Sequence, residues 1–501
     1  MIARWTRWRW QRGELPAVQP PLRRDMLALP RQTPIASPDT PLPKAVRPMA
    51  KPLKPYFRSL IKPAMLVTAV ALVPAATASF GAIEDTTREL DQFMNVFMKV
   101  RADYVDKVDD KTLIKGAIEG MLSSLDPHSS YLDAKDFTNL RTQTDGEYGG
   151  LGLTVGMEDG AVKVVTPTED TPAFRAGIKA GDYITHLDGQ LIYGGTLDEA
   201  VEKMRGRPGT KLRMTIVRPG RDKPFDVELT REIITLKPVK WEIKDKVGII
   251  NINTFNKQTG EAVRSALTAI DKANGGQPLG YVVDLRSNPG GLLDQAIEVG
   301  DAFLDHGEIV SQRGREKGDI ERYYAKPGDM AHGLPMVVLV DAGSASAAEI
   351  VAGALQDHRR AIVMGERSFG KGSVQTLLPL SEETALRLTT ARYYTPSGRS
   401  VQEGGIDPDI IVPQLSDADY KSRPRLREAD LRRHLINEAK VDDKVLEDDA
   451  KPDPRFAGTP ETLKKAGVED FQLNYAIRTI ARLGQPAAQA ALAKVSRGGA
   501  R

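Results

Sequence analysis

Cysteine is absent from this 501-residue chain. That excludes disulfides, a zinc–thiolate site, a cysteine nucleophile and a lipidated cysteine anchor. The absence agrees with an oxidising compartment. Net charge is scarce too: 70 Lys and Arg against 67 acids leave only +3, and overall composition points to no nucleic-acid partner. Long apolar runs are missing. Met65 to Val73, closed by Pro74, falls well short of the ~20 apolar residues that a membrane-crossing helix needs.

Residues 1–64 are unlike the rest. They hold thirteen Lys and Arg against three acids (Glu14, Asp25, Asp39), many prolines and three of the four tryptophans. This reads as a basic, disordered leader. The apolar stretch from Met65 and the following Ala76-Thr77-Ala78 form a signal-peptide pattern. Translation from Met49 would leave Lys51, Lys54, Arg58 and Lys62 as an ordinary basic n-region. The alternative is an uncleaved anchor. Export, with cleavage near Ala78, is the expectation, placing the protein in the periplasm or at the periplasmic side of a membrane. Leu90, Phe93, Met94, Val96, Phe97 and Val100 then recur at near-helical spacing, as do Ile114, Ala117, Ile118, Met121 and Leu122. Their apolar faces suit packing on another subunit. Beyond residue 416, Leu426 to Glu438 and Leu473 to Lys494 read as charged or alanine-rich helices of a solvated tail, with an acidic loop at Asp442 to Asp449.

The centre of the chain alternates strand-like and helix-like runs: Val247 to Ile252, Gly260 to Ala273, Tyr281 to Leu285, Leu292 to Phe303. That alternation predicts a βα-built sheet. The apolar run Met336 to Val340 predicts a buried strand, followed by the turn Asp341-Ala342-Gly343-Ser344-Ala345-Ser346 and a helix of small residues from Ala347. A serine there sits at a helix N-terminus, whose free N–H groups and dipole suit a developing oxyanion. It is also the place of an ordinary helix cap. Lys371 follows in the turn Phe369-Gly370-Lys371-Gly372, within reach if the helix folds back on the sheet. Gly365 to Lys371 is a near miss for a phosphate loop, because Gly372 stands where that loop needs Ser or Thr to hold magnesium.

Several motifs together resemble the carboxyl-terminal processing, or tail-specific, proteases. They are the Ser344-Ala345-Ser346 run, Lys371 with Gln375, Asp284-Leu285-Arg286-Ser287-Asn288-Pro289-Gly290-Gly291, Leu125-Asp126-Pro127-His128-Ser129-Ser130-Tyr131-Leu132, and Thr395-Pro396-Ser397-Gly398. Within residues 145–232, Gly149-Gly150-Leu151-Gly152-Leu153, Thr171-Pro172-Ala173, Ala176-Gly177-Ile178 and Gly181-Asp182-Tyr183-Ile184 are similar to PDZ domains, with Thr171 replacing the commoner serine. The resemblance implies an α/β fold: a crotonase/ClpP-like βα core, an inserted PDZ domain and an N-terminal helical segment. The implied limits are 1–82 for the leader, 83–136 for the helical region, 137–233 for the PDZ domain, 234–415 for the catalytic core and 416–501 for the tail.

It further implies that Ser346 is the nucleophile, Lys371 its base and Gln375 an orienting partner, with Gly290, Gly291 and Ala347 supplying the oxyanion hole. Gly150, Leu151, Gly152 and Leu153 would receive a peptide tail, the peptide adding as a strand. Arg205, at the end of the groove helix Leu197 to Met204, would couple groove occupancy to catalysis. Neither a metal nor another cofactor is expected. The expected partners are protein substrates bound by their C-terminal tails, a regulatory lipoprotein or adaptor, and a second copy through the N-terminal helices. None of the six histidines (His128, His186, His306, His332, His358, His434) falls at a catalytic position, and a capping or packing role is expected for His128. A lysine base must lose its proton near neutrality, which burial promotes. Two other classes fit parts of the pattern: an inactive PDZ scaffold, and a hydratase-like enzyme acting on acyl thioesters.

Overall fold

The computed structural model describes residues 85–420, 422–423, 425–439, 456 and 458–484. The basic leader, the apolar segment with its cleavage pattern, and the acidic loop lie outside those residues. Two compact units divide the chain, Met1–Val96 and Phe97–Arg501. In the first, residues 85–96 are helical, and Leu90, Phe93, Met94 and Val96 are exposed.

The second unit is built on a six-stranded sheet in the order Val239–Lys244, Val247–Ile252, Tyr281–Asp284, Met336–Val340, Ile362–Gly365, Ile410–Ile411. The first pair is antiparallel and the rest parallel. Side chains alternate between faces with the strand's period of two. Ile250, Val283, Val338 and Val363 pack against the helices Thr259–Ala273, Leu293–Phe303 and Ala347–Asp357. Ile249, Val282, Val337 and Met364 face the other way and meet Ala476, Ile477 and Ile480 of the helix Phe471–Leu483. Covering both faces is what a parallel sheet requires.

That last helix corrects the reading of a solvated tail. Among the described residues it spans Phe471–Leu483, starts at an Asp470 cap, and closes the second face of the core; residues 485–494 of the expected helix lie outside the described residues. Leu426 to Glu438 is not a helix either, since only the 3₁₀ turn Glu428–Asp430 forms there. Its side chains bind the core instead: Glu428 is fully buried and Asn437 nearly so. An antiparallel sheet of Ser130–Leu132, Ala385–Tyr394, Glu308–Arg313 and Ile320–Tyr324, with Ser373–Pro379 paired on Ala385–Tyr394, stands beside the main one.

The inserted domain enters and leaves through one ribbon, Glu147–Gly150 paired antiparallel with Glu232–Thr235. Its own sheet runs Leu153–Glu158, Ala161–Pro167, Tyr183–Leu187, Lys211–Val217, Phe225–Thr230. An Asp-Gly pair between strand-like runs calls for a hairpin turn, and Asp188-Gly189 forms one, with φ of 48° and 77° at the two residues.

Candidate active site

The strand Met336–Val340 is buried throughout and delivers a tight turn to the helix Ala347–Asp357. The two serines of that turn differ in fate. Ser344 is fully buried, and its hydroxyl donates to Leu285 O at 2.8 Å. Ser346 sits at φ 53°, ψ −113°, a conformation that a non-glycine residue holds only when its surroundings impose it. It lines a cleft of about 670 Å³, with Gly290, Gly291, Ala347, Lys371, Val374, Gln375 and Arg387 among the other walls.

The surroundings that impose it centre on Glu349. This carboxylate is fully buried and accepts from Ser346 N at 2.7 Å, Ser368 Oγ at 2.5 Å, Gly370 N at 2.7 Å and Lys371 N at 3.0 Å. The Tyr393 hydroxyl faces the same two residues from their carbonyl side. It lies 3.2 Å from Ser346 O and donates to Lys371 O. One carboxylate and one phenol therefore hold the backbones of Ser346 and Lys371 together, on the N–H and C=O sides respectively. Burial pushes Glu349 up to about 7, against the hydrogen bonds it accepts, and burial drives the Tyr393 hydroxyl well above its ordinary range. Neither residue was singled out from sequence, although Ser346-x-x-Glu349 has capping-box spacing.

Lys371 donates its amine to Gln375 Oε1. Burial lowers its pKa from 10.5 to about 8; Glu428 opposes that shift and Arg387 reinforces it. His128 is a packing residue, its Nε2 lying 2.8 Å from the buried Glu428 carboxylate. His358 ends the helix Ala347–Asp357, with its Nε2 2.7 Å from Glu308 O.

Of the three N–H groups expected in an oxyanion hole, one is occupied. Gly290 N donates to Asn288 Oδ1 at 2.8 Å. Gly291 N and Ala347 N have no acceptor among the described residues. Gly290 instead permits close approach: at φ 95°, a Cβ on it would lie 2.9 Å from Ser346 Cβ and 2.9 Å from Ala347 N. Among the described residues, no group of three or more His, Cys, Asp and Glu could hold a metal.

In the inserted domain, Leu153–Glu158 is an edge strand. Leu151 is buried in that domain's core, and its carbonyl accepts from Ala173 N at 3.0 Å. Gly150 carries no Cβ where one would meet the Tyr148 ring at 2.6 Å, and Gly152, at φ 76°, lies against the Thr171 side chain. The N–H groups of Leu151 and Gly152 are without an acceptor among the described residues. The helix Leu197–Met204, started by a Thr196/Glu199 capping box, packs into the same core through Ala200 and Met204. Arg205 ends it, donating to Asn139 Oδ1 at 3.0 Å and lying 5.2 Å from the Tyr148 ring centre. Asn139 belongs to the helix Ala134–Asp145, whose Phe137, Leu140, Arg141 and Thr144 line the Ser346 cleft.

Residues 246–412 match the model of peptidase family S41, residues 149–229 that of the PDZ domain, and residues 72–136 that of the activating protease CtpB N-terminal domain. A carboxy-terminal-processing protease of Bartonella bacilliformis is 46% identical over 418 residues, covering 83% of this chain and 94% of its own. The carboxy-terminal processing protease CtpB of Bacillus subtilis is 35% identical over 347 residues, covering 68% and 71%. Among solved structures, a photosystem II D1 C-terminal processing protease aligns at 30% identity with a TM-score of 0.39, over 64% of this chain and 92% of that one.

Proposed function

This chain belongs to the carboxy-terminal-processing proteases of peptidase family S41, and on that footing we propose that it cleaves proteins with a Ser346–Lys371 dyad after taking them by their C-terminal tails. The observation that carries this reading is the pairing of a serine on a positive-φ turn with a lysine whose amine is shielded from water. Both are held by Glu349 and Tyr393 in one cleft. A hydroxyl needs a base to become a nucleophile. Neutral Lys371 takes the Ser346 proton, Ser346 Oγ attacks the scissile carbonyl, and Gly291 N and Ala347 N hold the oxyanion. Lys371 then returns the proton to the leaving amine, and water releases the acyl group by the same route in reverse. Gln375 holds the amine in place without adding charge.

The free edge of Leu153–Glu158 and the unoccupied Leu151 and Gly152 N–H groups support strand addition by a peptide tail, its carboxylate on the loop. Tail binding reaches the cleft through Arg205 and the helix Ala134–Asp145, which touches both. The same reading places the enzyme in the cell envelope, on the basic and apolar pattern before Ala78 and the absence of cysteine. It assigns the exposed apolar residues of 85–96 to a second copy, and leaves room for an envelope adaptor. The test is cleavage of an unstructured protein with an apolar C-terminus. Ser346→Ala and Lys371→Ala should each abolish it with the fold intact. An inactive Ser344→Ala beside an active Ser346→Ala would overturn the assignment. Hydration of a crotonyl thioester by the intact protein would instead favour a hydratase.

A further inference from the structure

An amide side chain has a donor end and an acceptor end of nearly the same shape, and its other neighbours decide which end meets a catalytic amine. Gln375 presents Oε1 to Lys371 Nζ. Its Nε2 donates to Ser373 Oγ at 3.0 Å and to Thr389 Oγ1 at 3.1 Å. The Ser373 hydroxyl can donate or accept, so it leaves the direction open. Thr389 settles it, because its hydrogen goes to Asp126 Oδ1 at 3.1 Å.

Asp126 is buried, at 4% exposure, and also accepts from Ser129 Oγ at 2.7 Å, His128 N at 2.8 Å and Ser129 N at 2.9 Å. Burial works to raise its proton affinity, but the bonds from Ser129, His128 and Thr389 outweigh it and hold the carboxyl below its usual range. An ionised carboxylate only accepts. With its hydrogen committed to Asp126, Thr389 turns a lone pair toward Gln375. Gln375 therefore offers its NH₂ there and its oxygen to Lys371.

We propose that Asp126 and Thr389 are positioning residues of the active site, fixing the polarity of the Gln375 amide so that neutral Lys371 keeps its lone pair for the Ser346 hydroxyl. This rests on the reading of Lys371 as the base. In the correct orientation the amine donates one hydrogen to Gln375 Oε1. In the reversed one, the Gln375 NH₂ would donate to the amine and occupy the lone pair needed for catalysis. Asp126 lies in the stretch matching the N-terminal domain model, residues 72–136, outside the peptidase match at 246–412. The segment before the PDZ domain thus supplies part of the catalytic apparatus.

The test uses the full chain with an internally quenched peptide, kcat and KM being read across pH 6 to 10. Thr389→Val removes the hydroxyl at nearly constant shape, Thr389→Ser retains it, and Gln375→Ala removes the amide. One mispaired hydrogen bond should lower kcat of Thr389→Val roughly 3- to 10-fold with KM unchanged. Thr389→Ser should stay near wild type. The charged groups facing the amine, Glu428, Arg387, Glu349 and Asp126, are unaltered in Thr389→Val. Its acid limb should move to lower pH, because an ammonium that loses an acceptor is disfavoured. A general loosening that admits water to Lys371 would move the limb up. In the Gln375→Ala background, Thr389→Val should have no further effect.

The relay is refuted by Thr389→Ser falling with Thr389→Val, by an unmoved or rising limb, or by effects that multiply in the double variant. Should Thr389→Val not fold, Asp126→Asn takes its place. Its amide can donate to Thr389 and free the direction. The substitution also removes a charge that favours the ammonium, so it is read in the wild-type and Gln375→Ala backgrounds together: a larger fall in limb with Gln375 present is expected, and an equal fall in both refutes the relay. Activity in Lys371→Ala would sink the base itself. An inactive Lys371→Ala beside a wild-type-like Thr389→Val would sink the relay alone.

Discussion

The acid limb of the pH–rate profile should report Lys371. Burial carries this lysine from 10.5 to about 8. At pH 7 the neutral fraction then rises from about 1 in 3,000 to about one tenth, so the site as a whole supplies about 300-fold more base. For the free enzyme, kcat/KM should climb with unit slope on a logarithmic scale below pH 8 and level off above pH 9, gaining about tenfold between pH 7 and the plateau. The sign of each neighbour can be tested on the same curve. Arg387 disfavours the ammonium and Glu428 favours it. Arg387→Gln should move the limb up, and Glu428→Gln should move it down. Lys371→Arg should be inactive across the range, since a guanidinium stays protonated. The measurement is single-turnover cleavage of an internally quenched peptide, so that chemistry limits the rate. A flat profile from pH 6 to pH 10, or shifts of the two charge variants in the same direction, would refute a lysine base.

Glu349→Gln should lower stability by about 1–3 kcal/mol in urea titrations, because an NH₂ group would meet buried N–H donors; labelling of Ser346 by a fluorophosphonate should slow in parallel. Arg205→Ala should reduce cleavage of tailed substrates while leaving tail affinity and thermal midpoint nearly unchanged, and Asn139→Ala, which removes the acceptor at 3.0 Å, should reproduce the loss. A parallel fall in tail affinity would make Arg205 part of the groove instead. Ile480→Ala, deep in the second face of the sheet, should destabilise the whole catalytic unit by about 2–5 kcal/mol; a normal unfolding midpoint would return the helix Phe471–Leu483 to the status of an appendage.

What could be read from sequence follows the range of the forces involved. The apolar run Met336 to Val340, the small-residue helix after Ser346 and the D-G hairpin at Asp188-Gly189 are local in origin, and all three form where expected. At the C-terminus a helix is expected and forms, but its role was not legible. Leu473, Ala476, Ile477 and Ile480 carry an apolar stripe, and nothing in the stripe says which surface it covers. A parallel sheet needs two covered faces, yet the alternating runs supplied helices for only one. That deficit was itself a signal, and the missing cover had to come from beyond the last strand.

The candidate site was legible in its reacting groups and opaque in its supports. Ser346, Lys371 and Gln375 lie in short glycine-marked turns, where residue type and spacing carry information. Their supports reach across the chain. Glu349 bonds Lys371 N across 22 positions, Thr389 meets Asp126 across 263, and His128 meets Glu428 across 300. Each is one polar side chain whose setting names no distant partner: Asp126 and His128 lie in the Leu125–Leu132 motif, and Glu428 in a stretch that reads as solvated tail. Only burial distinguishes them, since a buried carboxylate must find donors wherever the fold brings them. Gly290 marks the same limit from the other side. The family resemblance implied an oxyanion donor here, but Asn288, two residues earlier, takes its N–H at 2.8 Å. The glycine is needed for space, with Ser346 Cβ 2.9 Å from where its own Cβ would stand, and the proposed oxyanion hole is left with Gly291 N and Ala347 N.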